Sequence, residues 1–173
     1  CYGGHGYIHE HGMEQFVRDA RITQIYEGAN GIQALDLVGR KLPQKMGRLL
    51  RAFFHPLDAF LQGHMADKAL APYVQPLAKA FARLQQATAH IAQAGLKNPD
   101  EAGAASADYL RLFALVAVGW MWAEMAKLAL AKLKDGADGE AAFYEAKLAT
   151  ARFFMERMLP ETSSLLAKAT AGA

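Results

Sequence analysis

One cysteine, Cys1, and six prolines are all that 173 residues contain of those two types. A lone thiol excludes a disulfide scaffold and fits a reducing compartment. Long hydrophobic runs are also missing. The longest uncharged apolar run, Leu112 to Ala123, holds 12 residues, against the roughly 20 that a bilayer-spanning helix needs, and Glu124 and Lys127 follow it. A buried helix is therefore expected there rather than a span. Nor does either charge sign dominate: 19 basic residues face 17 acidic ones, with 7 and 5 up to Arg51 and 12 and 12 beyond it. Without a basic arm or a basic face interleaved with aromatics, nucleic-acid binding has no electrostatic source. Balanced helix faces likewise argue against association with a membrane surface. No signal-peptide pattern opens the sequence.

What is abundant is alanine, 35 residues, within a composition that is 53% hydrophobic. That is too apolar for disorder and predicts an all-α protein. The texture changes near Leu42-Pro43. Residues 1–42 hold seven of the fifteen glycines and three of the six histidines, whereas residues 43–173 read as long alanine-rich amphipathic patterns. The opening at Cys1, followed at once by Gly3-Gly4-His5-Gly6, leads us to expect a piece of something longer.

Spacing predicts the elements. Gly12 to Ala20 makes two helical turns with Phe16 and Ala20 on one face. Arg21 to Gly28 turns to β-branched, extended character. A helix from about Asn30 carries Ile32, Leu35, Val38 and Leu42. Pro43 suits a first helical position, and Pro56 is expected to bend or break the helix it opens. A stripe of Leu70, Val74, Leu77, Phe81, Leu84, Ala87 and Ile91 predicts a helix over about 67–94, closed by Gly95. Asn98-Pro99-Asp100-Glu101 combines an N-cap residue, proline at the first helical position and acids in the first turn. The helix it opens is expected to be interrupted near Gly103 or Ser106 and to be apolar on every side from Leu112 to Ala123. Asp135 to Gly139 reads as a loop, and a last helix carries Phe143, Leu148, Phe153, Phe154 and Met158 up to Pro160. Short connections between long helices favour an antiparallel bundle.

Chemistry-bearing residues concentrate in the first region. Beyond it, Trp120 and Trp122 read as core packing, with a ligand stack as the alternative. Arg40, Lys41, Lys45, Arg48 and Arg51 read as a solvated face or as a patch for a phosphate-bearing ligand or acidic partner. His5, His9 and His11 lie close in sequence, but nothing completes a tetrahedral ligand set, so no metal site is expected. Arg18 and Asp19 are expected to form a structural ion pair or cap rather than to touch substrate. Ile25-Tyr26-Glu27-Gly28 sets a carboxylate in an apolar, aromatic segment, a setting that raises a carboxyl pKa towards that of a general base; an exposed capping residue is the alternative.

Three strings in order, Gly3-Gly4-His5-Gly6-Tyr7-Ile8, Met13 to Ile22 and Gln24 to Gln33, resemble the C-terminal part of the acyl-CoA dehydrogenases. The resemblance covers about 40 residues, and the remainder resembles the helical domain that some larger bacterial members append. It divides the chain into residues 1–42, the end of a catalytic helical domain, and 43–173, an appended helical bundle.

The resemblance implies an FAD-dependent α,β-dehydrogenation of an acyl-CoA thioester. Glu27 takes the role of the base that removes the α-proton, and its backbone N–H, with a flavin hydroxyl, holds the thioester oxygen. Tyr26 and Gly28 line the thioester pocket. Ala29, Asn30 and Gly31 approach FAD, and Gly3 and Gly4 reach the FAD pyrophosphate of a neighbouring subunit. Ala29 and Gly31 stand where the family often has hydroxyl or polar residues, which leaves backbone contacts. The resemblance also implies electron-transfer flavoprotein as acceptor, a homo-oligomer with a dimer favoured, and a cytoplasmic setting, or the mitochondrial matrix in a eukaryote. The chain alone is expected to be inactive and not to retain FAD. A helical module serving oligomerisation or interaction, without catalysis of its own, is the competing expectation.

Overall fold

A computed structural model describes residues 2–23, 25–26 and 29–173, and no strand occurs among the described residues. Seven α-helices follow in order among the described residues: α1 (Glu14–Ile22), α2 (Asn30–Asp36), α3 (Arg48–His64), α4 (Ala71–Lys97), α5 (Pro99–Lys134), α6 (Ala141–Phe153) and α7 (Thr162–Ala169). The all-α expectation holds.

α5 is the axis of the molecule. Asn98 caps it as its sequence predicts, the side chain accepting from the Asp100 N–H at 3.1 Å, with Pro99 in the first turn beside Asp100 and Glu101. The predicted interruption does not occur: α5 runs unbroken for 36 residues, and Ser106 turns its hydroxyl back onto the Gly103 carbonyl at 2.7 Å. Its length and hydropathy would suffice to cross a membrane, but α2, α4, α6 and α7 all lie against it, which accounts for much of its apolar surface. A row at helical spacing, Val118, Met121, Met125 and Leu128, stays exposed.

α4 returns along α5 after one intervening residue, Asn98, so the two form a hairpin. Leu77, Leu84, Tyr109, Leu112 and Val116 are among the side chains fully buried between these and their neighbours. Gly119 permits a close approach: a Cβ there would lie 3.3 Å from both Leu77 and Leu159 side-chain carbons. Tyr109 carries its hydroxyl into this core, where it shares a 2.7 Å hydrogen bond with Thr88; burial pushes its pKa up to about 12.

α3 is continuous through Pro56, so of the expected bend or break the break does not occur. A proline in a helix interior forfeits a hydrogen bond and crowds the preceding turn, yet α3 is pinned on both sides of it. Phe53 packs on Phe113 at 4.7 Å and edge-on to Trp120 at 5.7 Å, and Phe54 on Phe81 at 5.0 Å, while Leu57, Phe60 and Leu61 are buried. Trp120 and Trp122 thus belong to packing against the core. The start of α3 also differs from expectation. Pro43 does not open it; Lys45, Met46 and Gly47 all have left-handed φ (51°, 55° and 75°), which ends helical geometry until Arg48. Arg21 and Ile22 remain in α1, and the Ile25 and Tyr26 N–H groups both donate to the Ile22 carbonyl at 3.2 Å. At the described residues Thr23, Ile25 and Tyr26 the expected extended stretch is turn-like instead, because local hydrogen bonds outweigh a weak β preference. Gly95 does not close α4, which ends at Lys97.

After the Gly136 turn (φ 98°), α6 runs into a wider turn over Phe154–Met158 and a tight one over Leu159–Glu161. Chain beyond Pro160 is helical as α7, held by Arg83 donating to Thr162 Oγ1 at 2.9 Å and by a two-pronged Arg111–Glu161 pair at 2.6 and 2.8 Å.

Tyr109→Phe tests the buried hydroxyl. At neutral pH the substitution should cost about 1 kcal/mol, the usual worth of one hydrogen bond. A raised tyrosine pKa contributes stability that is complete below about pH 10, its unfolded value, and is lost as pH climbs towards about 12. Denaturant titrations should therefore show the wild type losing up to roughly 1.4 kcal/mol per pH unit more than the variant across that window.

Candidate functional site

The segment carrying the motif stands largely clear of the core: from Tyr2 to Tyr26, Glu14 is the one fully buried residue among those described. Gly3 to Tyr7 form a tight turn, with Gly3 at φ 59°. Nothing lies within 4 Å of where a Cβ would sit on Gly3 or Gly4, so both backbones are open to an approaching group. The turn is tied to α1 through charge. Glu14 Oε1 receives His9 Nδ1 at 2.9 Å and Arg18 Nη2 at 3.4 Å, while its buried Oε2 has no partner among the described residues. The His9 hydrogen bond holds the Glu14 carboxyl below the usual range despite the opposing effect of burial. Arg18 is in turn held by the Tyr7 hydroxyl, which foremost raises its pKa, and by Gln15 Oε1 at 3.1 Å.

Arg18 thus pairs with Glu14, not with the adjacent Asp19, which accepts from Gln15 Nε2 at 2.7 Å. Neighbouring residues on a helix point about 100° apart, whereas residues four apart share a face. That spacing was the available signal for Glu14, which the motif reading passed over. His11 stacks on Tyr2 at 5.3 Å with His5 edge-on to it at 6.3 Å. No group of three histidine, cysteine or acidic side chains is gathered to hold a metal among the described residues.

Glu27 and Gly28 lie outside the described residues, so the structure gives no geometry for either. The residues flanking them are described. Tyr26 sits exposed at a bend, and Ala29 begins α2 by accepting from the Ile32 and Gln33 N–H groups at 2.9 and 3.2 Å. Asn30 and Gly31 are brought against α5, where they line a cavity of about 540 Å³ with Arg111, Ala114, Phe154 and Met158 among its walls. Gly3, Gly4 and Tyr26 are not part of that wall. Beyond α2, the basic run is unevenly committed. Arg40 and Lys41 both pair with Asp36, the latter at 3.4 Å, and Arg51 donates to the Met46 carbonyl at 2.7 Å.

Two family models match the chain. One, described as "Acyl-CoA dehydrogenase, C-terminal domain", covers residues 1–42, and the other, "Acetyl-CoA dehydrogenase C-terminal like", covers residues 53–173. A 3-methylmercaptopropionyl-CoA dehydrogenase of Ruegeria pomeroyi is 39% identical over 165 residues, and the broad-specificity linear acyl-CoA dehydrogenase FadE5 of Mycobacterium tuberculosis is 32% identical over 169. Each match takes in 94% of this chain and 28% of the relative. A butyryl-CoA dehydrogenase of Syntrophomonas wolfei is 30% identical over 162 residues, 92% of this chain and 26% of the relative. The chain therefore spans little more than a quarter of the length of the curated relatives it matches.

The ties around Glu14 predict a local effect. Glu14→Ala should release the Gly3–Tyr7 turn from α1, seen as faster amide exchange over residues 9–18, with the melting of the α4–α5 bundle unchanged. The same loosening should appear in the wild type on acidification. Because the folded carboxyl titrates below 4.5, its contribution is complete above that value and lost as pH falls through the folded pKa.

Proposed function

The chain belongs to the acyl-CoA dehydrogenase family, and from that premise we propose that it is the C-terminal part of an enzyme that oxidises an acyl-CoA thioester between its α and β carbons. Residues 1–42 complete the catalytic helical domain, and residues 43–173 form a bundle appended to it. The left-handed break at Lys45–Gly47 and the gap between the two family matches support that boundary.

The observation that carries the reading is the Tyr26-Glu27-Gly28 string, which lies inside the match to the family's C-terminal domain and between α1 and α2. In this role the Glu27 carboxylate takes the α-proton and holds it on a side-chain oxygen. Its backbone N–H donates to the thioester oxygen as negative charge develops there, and Tyr26 and Gly28 shut water from the bond, which strengthens that donation. The open backbones of Gly3 and Gly4 fit a pyrophosphate, since no Cβ stands between their amides and an incoming anion. Ala29, Asn30 and Gly31 offer backbone rather than side-chain contacts to the same group. When bound, FAD would supply the acceptor for the β-hydrogen as hydride, with an electron-transfer flavoprotein as the onward acceptor. The protein works as a homo-oligomer, a dimer foremost, in the cytoplasm of a bacterium or the mitochondrial matrix of a eukaryote.

A second reading, that the bundle serves assembly, draws on the exposed α5 row of Val118, Met121, Met125 and Leu128. Light scattering on the parent-length enzyme separates the two contributions: Met121→Lys with Met125→Lys should lower its mass by whole protomers if assembly uses this row, and leave it unchanged otherwise.

For the catalytic reading, Glu27→Gln in the parent-length enzyme should keep the flavin spectrum and lose turnover by about 10²-fold or more, the usual scale for a general base. Near-normal turnover would remove Glu27 from that role. The 173-residue chain itself should carry no flavin absorbance after purification and show no dehydrogenation of acyl-CoA.

A further inference from the structure

The residues assigned to the flavin are unequally supported. Ala29 leads into α2, and Asn30 and Gly31 lie against α5. Gly3 and Gly4 have open space where a Cβ would sit, and every residue from Tyr2 to Met13 is exposed or half-buried. A glycine-rich turn without packing has many conformations open to it, and an anion gains from its amides only in the few that present them. Something other than burial has to select those few.

The bonds that do so converge on one side chain. Glu14 is 7% exposed at its side chain within a segment that is otherwise open. Its Oε1 receives His9 Nδ1 at 2.9 Å, from the head of the second tight turn, and Arg18 Nη2 at 3.4 Å, from one turn further along α1. Arg18 also bonds the hydroxyl of Tyr7, the last residue of the glycine turn. The two tight turns are joined as well, because the His11 ring stacks on Tyr2 and meets His5 edge-on. Gly3 and Gly4 therefore sit between Tyr2 and His5, which rest on His11, and Tyr7, which rests on Arg18. Both routes reach α1, and Glu14 is the branch point.

This arrangement costs more than helix α1 requires. Burying a carboxylate carries a desolvation penalty, and Oε2 has no partner among the described residues. A solvated glutamate in the first turn would favour the helix equally well. The buried one does what a solvated one could not, which is to tie two turns to one helix face.

We propose that Glu14 is a positioning residue for the flavin: without touching it, the carboxylate fixes His9 and, through Arg18, Tyr7, and so holds the Gly3–Gly4 backbone in place for the pyrophosphate. This rests on the dehydrogenase reading and adds to it a residue outside the Tyr26–Gly31 string.

The test takes the parent-length enzyme stripped of flavin and titrates it with FAD, with ADP as the probe that has the pyrophosphate alone and riboflavin as the one that lacks it. Glu14→Ala should weaken FAD about tenfold or more, the scale of lost hydrogen bonds to a charged group. ADP should weaken by the same factor and riboflavin should be unaffected. Glu14→Gln, which keeps an oxygen acceptor at the same reach, should recover part of the loss. His9→Ala removes an exposed ring, so the melting temperature should hold while FAD weakens roughly two- to fivefold; this variant serves if Glu14→Ala fails to fold. Added to Glu14→Ala, it should have no further effect, because both act through one carboxylate. Wild-type FAD affinity in the folded variants, or a loss for riboflavin equal to that for FAD, would overturn the proposal alone. A wild-type protein that takes up no FAD would overturn the dehydrogenase reading and the proposal with it.

Discussion

A 36-residue helix that is apolar around most of its circumference cannot stand alone in water, and the arrangement of α2, α4, α6 and α7 answers that constraint. α4 folds back along one side, α6 and α7 close others, and α2 leans on what is left. Packing of this kind needs close approach as well as apolar surface. Gly119 supplies it, letting Leu77 of α4 and Leu159 of the C-terminal turn meet over the α5 backbone. The polar ties that remain, Arg83 to Thr162 and Arg111 to Glu161, orient the C-terminal helix on the α4–α5 pair. The Arg111–Glu161 pair, exposed on both sides, adds little energy and serves mainly to select one docking angle.

The family motif depends on the same helix from a distance. Because α2 rests on α5, Ala29, Asn30 and Gly31 hold a defined position even though they are on the surface. The glycine turn has no such support from the bundle. Its placement comes from a small polar knot in which one buried carboxylate, Glu14, gathers His9 and Arg18, and Arg18 gathers Tyr7. The two halves of the motif are thus held by different physics, α2 by apolar burial and the glycine turn by charge-assisted hydrogen bonds. The second depends on the Glu14 carboxylate staying ionised and so weakens as pH falls through its lowered pKa.

Features set by neighbours in sequence were legible before any coordinates. Asn98-Pro99-Asp100-Glu101 needs only its own backbone to cap a helix, and the α4 stripe from Leu70 to Ile91 declares its buried face by period alone. Features decided by distant partners were not. Pro56 breaks an isolated helix, but here Phe53 and Phe54 on one side and Leu57 and Phe60 on the other are anchored to α4, α5 and the core. Pro43 is a good first helical residue, yet Lys45 and Met46 adopt left-handed φ. The helix past Pro160 depends on Arg83 and Arg111, which lie 79 and 50 residues away from their partners. For the site, residue types in order were enough to identify the family, while the role of Glu14 required seeing which of two acids shares a helix face with Arg18.

Asn98 separates helices of 27 and 36 residues by a single position, and this governs the order in which contacts form. The first pairs to meet, near Gly95 and Ala102, close a loop of only a few residues, and each later pair extends a hairpin already in register. Loop-closure entropy then grows slowly with length, and the α4–α5 pairing starts without a long loop to close. The α4–α5 hairpin is in that sense a template that emerges complete from one stretch of chain. The segments on either side, the turn-rich N-terminal residues and the α6–α7 tail, have only to find a surface that is already there.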